Sequence, residues 1–142
     1  MSLSEEERAT LVGLQMEKAF KNMEQAAEVY KLCYFDLAAN RYYYACFHAI
    51  QALLLNIGAV CHTHAGLIAE FGKRCIKTGI MPVAFGQFIS RLEQLRERGD
   101  YNCSYDITES ELVDMIAPAH ALLEAIARYL VSSRNEREKG IS

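Results

Sequence analysis

Arg41, Tyr44 and His48 fall within one polar interruption of an otherwise apolar segment, Ala39-Asn40-Arg41-Tyr42-Tyr43-Tyr44-Ala45-Cys46-Phe47-His48-Ala49. On a helix, seven residues make almost two turns, so Arg41 and His48 share a face, with Tyr44 one turn before His48. A cation, a phenol and an imidazole in a row are able to bind an anion or move a proton. The same spacing also describes a central helix whose tyrosines pack and whose His48 makes a buried hydrogen bond. Spacing alone leaves both readings open.

A second constellation is Arg91, Arg96, Arg98, Asp100, Tyr101 and Tyr105. Arg96 continues the apolar line through Ile89 and Leu92, which aims it at the edge of a buried face. An arginine there needs an anionic or carbonyl partner: Glu93, Asp100 or Glu111 from the chain itself, or a phosphate from a ligand. Arg98, Asp100, Tyr101 and Tyr105 are the neighbouring residues expected to complete a binding site. Between Lys73 and Arg98 six cations face only Glu93 and Glu97, a local balance of +4 in a chain of net charge −3, so an anion should prefer this region.

Cys61-His62-Thr63-His64 has metal-capable side chains, but they crowd into one turn and no second ligand pair exists elsewhere, so no metal site is expected. His64 belongs instead to the first turn of a helix. Phosphate-loop, dinucleotide, nucleophile-elbow and zinc-protease motifs are all absent, and no cofactor is expected.

The elements that must position these residues are helices. Ser4-Glu5-Glu6-Glu7 has capping-box spacing, and Val12, Met16, Ala19, Met23, Ala26 and Tyr30 draw one stripe along a first helix ending near Leu32. Asp36 can cap a second helix, apolar on nearly all sides from Leu37 to Ile57 and stopped by Gly58. Thr63 can cap a third, with Leu67, Ile68, Phe71 and Cys75 on one face and Gly79 at its end. Pro82 suits the first turn of a fourth, which carries Phe85, Phe88, Ile89, Leu92 and Leu95 until Gly99 breaks it. A loop over 100–107 leads to a second capping box, Thr108-Glu109-Ser110-Glu111. The fifth helix follows, with Pro118 expected to kink it. No segment alternates with period two. The expected fold is all-α, an antiparallel bundle of four to five helices over residues 1–133, followed by a charged, flexible tail over 134–142.

No apolar run reaches the roughly 18 residues of a membrane span. The acidic start has no basic segment leading into an apolar core, so a cytoplasmic location is expected. Five cysteines without Cys-x-x-Cys spacing read as reduced thiols.

The run from Ala39 to Ala49 resembles the signature helix of small stand-alone prokaryotic HEPN proteins, where Tyr-Tyr-Ala-x-Phe-His precedes an Ala/Leu-rich stretch. Thr63-His64-Ala65-Gly66 resembles that family's Thr-His-Ser-Gly turn. Phe71-Gly72 with Lys77-Thr78-Gly79 resembles its third-helix end, and Leu95-Arg96 through Asp100-Tyr101 its Leu-Arg-x-x-Ala-Asp-Tyr segment. These matches occur in order within about Glu17 to Leu130. The resemblance implies a HEPN-like bundle of the nucleotidyltransferase substrate-binding type, a homodimer, and a role near nucleotides or RNA. It also implies a minimal nucleotidyltransferase as partner in a two-gene, toxin–antitoxin-like system.

Many HEPN proteins are metal-independent ribonucleases with an arginine and a histidine four to six residues apart, at the place of Arg96 and the following loop. Here Tyr101 stands where that histidine is expected, and no histidine lies between Gly99 and Ile107. A tyrosine, with an ordinary pKa of about 10, is a poor base at neutral pH. Arg96, Tyr101 and His48 are therefore the catalytic candidates, with His48 the one histidine of the two constellations. In some family systems the partner adenylylates a tyrosine of the motif, which makes Tyr101 and Tyr105 the acceptor candidates. The leading expectation is a domain that binds nucleotide, RNA or the transferase partner. The alternatives are a ribonuclease toxin and a purely structural helical adaptor.

Overall fold

The structure, a computed structural model, describes residues 3–103 and 106–140. Helices α1 (Glu5–Lys31), α2 (Phe35–Asn56), α3 (His64–Phe71), α4 (Val83–Tyr101) and α5 (Glu109–Glu138) account for nearly all of it. The all-helical bundle expected from periodicity is thus the observed architecture.

Both capping boxes form. Ser4 Oγ accepts from the Glu7 amide at 3.0 Å while Glu7 Oε1 accepts from the Ser4 amide at 3.0 Å, and Thr108 and Glu111 repeat the exchange at the start of α5. A short turn folds α2 back along the length of α1, and α2 also touches α3, α4 and α5. It is able to do so because Ala38, Ala39, Ala45, Ala49 and Ala52 are buried small residues around which Tyr43, Ile50, Leu53 and Leu54 pack. From the other helices Phe71, Phe88, Leu92, Leu112 and Leu122 complete one continuous core.

Three local features here differ from expectation. Asp36 does not cap α2: the helix begins at Phe35 after Tyr34, which makes no side-chain cap, because the connection is too short and turns through Cys33 at φ 64°. Asp36 Oδ1 accepts instead from the Ile107 amide at 2.8 Å, tying the α1–α2 corner to the segment before α5. Pro82 is the residue before α4 and not part of its first turn. α4 runs past Gly99 to Tyr101. Gly99 has negative-φ helical backbone, and its lack of a side chain serves close approach, since a Cβ there would meet Ile107 Cδ1 at 2.6 Å.

The third helix changes pitch after Phe71 into a π-helical turn, Gly72–Ile76, closed by Lys77 N–H donating to Gly72 O at 3.0 Å; the wider turn keeps both Phe71 and Cys75 buried. Gly58 and Gly79, at φ 89° and 82°, are the left-handed stops their positions called for.

α5 continues through Pro118 and on to Glu138, through residues expected to be flexible. Arg134 pairs with Glu138 at 3.1 Å, and Arg137 Nη2 donates to the Asn56 carbonyl at 3.1 Å, satisfying an otherwise open acceptor at the C-terminal end of α2. Among the described residues the cysteines are free thiols and no helix is long and apolar enough to cross a membrane.

Candidate functional site

Glu93, Arg96 and Asp100 follow one another at three- and four-residue steps on α4, so they line one edge of its buried face. The neighbouring Leu92 and Leu95 drive that face into the core and take Arg96 with them, leaving the arginine only 4% exposed. A buried guanidinium must be paired. Arg96 Nη2 donates to Glu93 Oε1, and Nη1 donates to Asp100 Oδ2 at 3.1 Å. Burial opposes the charge, yet Glu93 and then Tyr101 hold the guanidinium above even the usual arginine range. Of the partners weighed from sequence, two chain carboxylates thus take both terminal nitrogens. Glu111 serves the capping box of α5.

The network continues outward through α2. Asn40 Nδ2 donates to Asp100 Oδ2 at 3.0 Å, and Asn40 Oδ1 accepts from Arg41 Nε at 3.1 Å and Nη2 at 2.6 Å. Two cations are therefore joined through an acid and an amide, with Arg96 at the buried end and Arg41 at the half-buried one. Aromatic faces surround the guanidinium: the Arg96 Cζ lies 4.8 Å from the Tyr43 ring centre, 5.7 Å from Tyr44 and 5.9 Å from Tyr101. The Arg41 Cζ lies 5.7 Å from the Tyr44 ring centre. Tyr101 itself is 77% exposed and, with Gln94, Glu97, Arg98 and Asn102, lines a shallow open depression. Tyr105 lies outside the described residues.

Arg41, Tyr44 and His48 do share a face, as their spacing requires. His48, however, is engaged with α1: its Nδ1 lies 2.8 Å from Gln15 Oε1. Burial, then Lys18 and Arg41, hold its imidazole below the ordinary histidine value. The fold therefore prefers the neutral ring. That contribution to stability is present above the unfolded value of about 6.5 and is lost as pH falls through the depressed folded value. His48→Gln is expected to flatten the fall in unfolding free energy between roughly pH 7 and 5, read from urea unfolding at the two pH values. An unchanged slope would remove His48 as its source.

The histidine that reaches the Arg96 cluster is His64, which the sequence placed only as a first-turn residue. Thr63 caps α3, accepting from the Gly66 amide at 2.9 Å, and this sets the first turn of α3 against α2. His64 Nδ1 is then 2.7 Å from the Tyr43 hydroxyl and 3.7 Å from Glu93 Oε2. Its ring packs 4.9 Å from Phe47 and 5.7 Å from Tyr44. Burial, and then the Glu93 carboxylate, push the Tyr43 phenol far above the usual tyrosine range. The signal in sequence was the Thr63-His64-Ala65-Gly66 cap; what it lacked was the pairing of α3 with α2, which is long-range. Among the described residues no group of three or more metal-ligating side chains occurs.

Comparison with known proteins agrees with this arrangement of motifs. A family model described as the HEPN domain matches residues 13–130. A Methanocaldococcus jannaschii protein named "putative toxin" is 30% identical over 117 residues, covering 82% of this chain and 80% of the relative. A Thermotoga maritima protein named "UPF0332 protein" is 36% identical over 93 residues, 66% of this chain and 70% of the relative. A second M. jannaschii "putative toxin" is 30% identical over 115 residues, with 81% and 85% covered.

Proposed function

Because the chain belongs to the HEPN domain family, we propose that it is the toxin-type member of a two-gene system, binding single-stranded RNA or a nucleotide at the Arg41–Tyr44–Tyr101 surface. The observation that carries this reading is the division of labour between the two arginines. Arg96 is buried and taken by Glu93 and Asp100, so it cannot meet a phosphate without breaking that network; it holds the tyrosines and, through Asn40, the outer arginine in place. Arg41 and the exposed Tyr101 ring supply what a single strand needs, a cation for phosphate and a flat face for a base.

The same surface is proposed to face a second copy of the chain and a minimal nucleotidyltransferase, with Tyr101 or Tyr105 as the hydroxyl that the partner would adenylylate. Co-expression with that partner should add one adenylyl group to the intact mass, and Tyr101→Phe with Tyr105→Phe should abolish the addition.

Fluorescence anisotropy with a short labelled RNA, competed by ATP, tests the binding reading. Arg41→Ala and Tyr101→Ala are each expected to weaken RNA binding about tenfold, in line with the loss of one phosphate contact or one stacked base. Absence of binding to either probe at low salt would overturn the proposal and favour a structural adaptor.

A further inference from the structure

We propose that Cys33 and Cys103 are a redox-responsive pair that closes to an intramolecular disulfide, tying the α1–α2 turn to the end of α4. Of the five cysteines these two are exposed; Cys46 and Cys75 are buried, and Cys61 lies beyond the opposite end of α2. The inference does not depend on what the Arg41–Tyr101 surface binds.

The register of α4 on α2 brings the two thiols to one level. The Arg96 guanidinium lies over the Tyr43 ring, Asn40 Nδ2 donates to Asp100, and a Cβ on Gly99 would stand 3.5 Å from Asp36 Oδ1. The helices are therefore antiparallel, and each turn forward on α4 is matched by a turn back on α2. One turn further along, just outside both helices, Cys103 comes opposite Cys33.

The returning chain closes the corner from the other side. The Ile107 amide donates to Asp36 Oδ1 at 2.8 Å, and Asp106 and Ile107 line a hollow of about 460 Å³ together with Cys33. Cys103 is three residues after Asp100 and four before Ile107, both of which are tied to the start of α2. Chain of that length reaches at most about 14 Å, so Cys103 stays at this corner. A disulfide needs Cα atoms about 4.4–6.8 Å apart. Cys33 sits in a turn at φ 64° and Cys103 lies past the end of α4, so the final approach moves turn backbone and leaves the helices in place.

The oxidant is a small-molecule disulfide, for which the hollow beside Cys33 leaves access. The Cys33 thiolate attacks one of its sulfurs and releases one small thiolate, giving a mixed disulfide. The Cys103 thiolate then attacks the Cys33 sulfur and releases the second. The two protons lost by the cysteines end on the two released thiolates. The protein is oxidised by two electrons and the small disulfide is reduced to two thiols. Cys103 follows Tyr101 by two residues, so closure also fixes the backbone from which that exposed ring projects.

The test equilibrates the full chain with oxidised and reduced glutathione, once native and once in urea. Non-reducing peptide mapping should find Cys33 joined to Cys103. At equal redox poise the ratio of closed to open protein should be at least about tenfold greater in the native state than in urea, because the fold holds the thiols together. The closed form should also melt about 5 °C or more above the open one.

Cys33→Ser and Cys103→Ser, both at exposed positions, should each stop at a mixed disulfide with glutathione. Thermal unfolding verifies that they are folded, and Cys33→Gly, which suits the positive φ, serves if Cys33→Ser is not. Native pairing no greater than in urea, pairing of either thiol with a different cysteine, or an intramolecular cross-link that persists in Cys103→Ser each overturns the inference.

Discussion

Arg96→Ala is expected to destabilise the protein by about 3–5 kcal/mol, because it strands the buried Glu93 carboxylate without its cation. Glu93 is 8% exposed and its second oxygen has no hydrogen-bond partner, so Arg96 is the cation that holds its charge in the interior. Urea unfolding measures the loss directly. Arg96→Met combined with Glu93→Leu should recover most of it, since removing both charges removes the desolvation cost along with the attraction. A loss under about 1 kcal/mol for Arg96→Ala would mean that the pair is not the buried support described here. The result bears on function as well. Loss of RNA binding in Arg96→Ala would report on the fold, so the proposed binding is better read at Arg41 and Tyr101.

Alkaline conditions should unfold the protein well before its net charge alone would. Burial pushes the Cys75 thiol up to about 11, moves Cys46 further in the same direction, and raises Tyr42. Each of these groups has a folded pKa above its unfolded one. Their contribution is therefore complete below the unfolded values, about 8.5 for a thiol and about 10 for a phenol, and is lost as pH rises from there through the folded values. While one such group lies between its two values, stability falls by about 1.4 kcal/mol per pH unit, and the two buried thiols act together from about pH 9. Urea unfolding under reducing conditions at about pH 8 and 10 measures the slope, which Cys46→Ala should reduce by about half. Equal stability at the two pH values would sink the prediction.

Much of the fold was legible because its determinants are local. The two capping boxes, the glycine stops at Gly58 and Gly79, and the stripe positions all operate within a few residues of one another. Asp36 and Gly99 were misread for one reason: each is shaped by Ile107, far away in sequence, which takes the carboxylate of the first and the space beside the second. The continuation of α5 likewise depends on the distant Asn56 carbonyl that Arg137 meets.

The site was legible in part on the same principle. Periodicity along α4 aimed Arg96 at a buried edge with Glu93 and Asp100 in reach, which is how it sits. His64 could not be assigned a role, since its significance comes wholly from packing against Tyr43, Phe47 and Glu93 on two other helices.

The hydrogen bonds from Asn40 to Asp100 and from the Ile107 amide to Asp36 also have a mechanical consequence. Asp36 and Asn40 are four residues apart on α2, so Asp100 near the end of α4 and Ile107 before α5 are pinned to successive turns of one rod. A load on either pin would be felt first by α2, the helix on which the rest of the bundle is built.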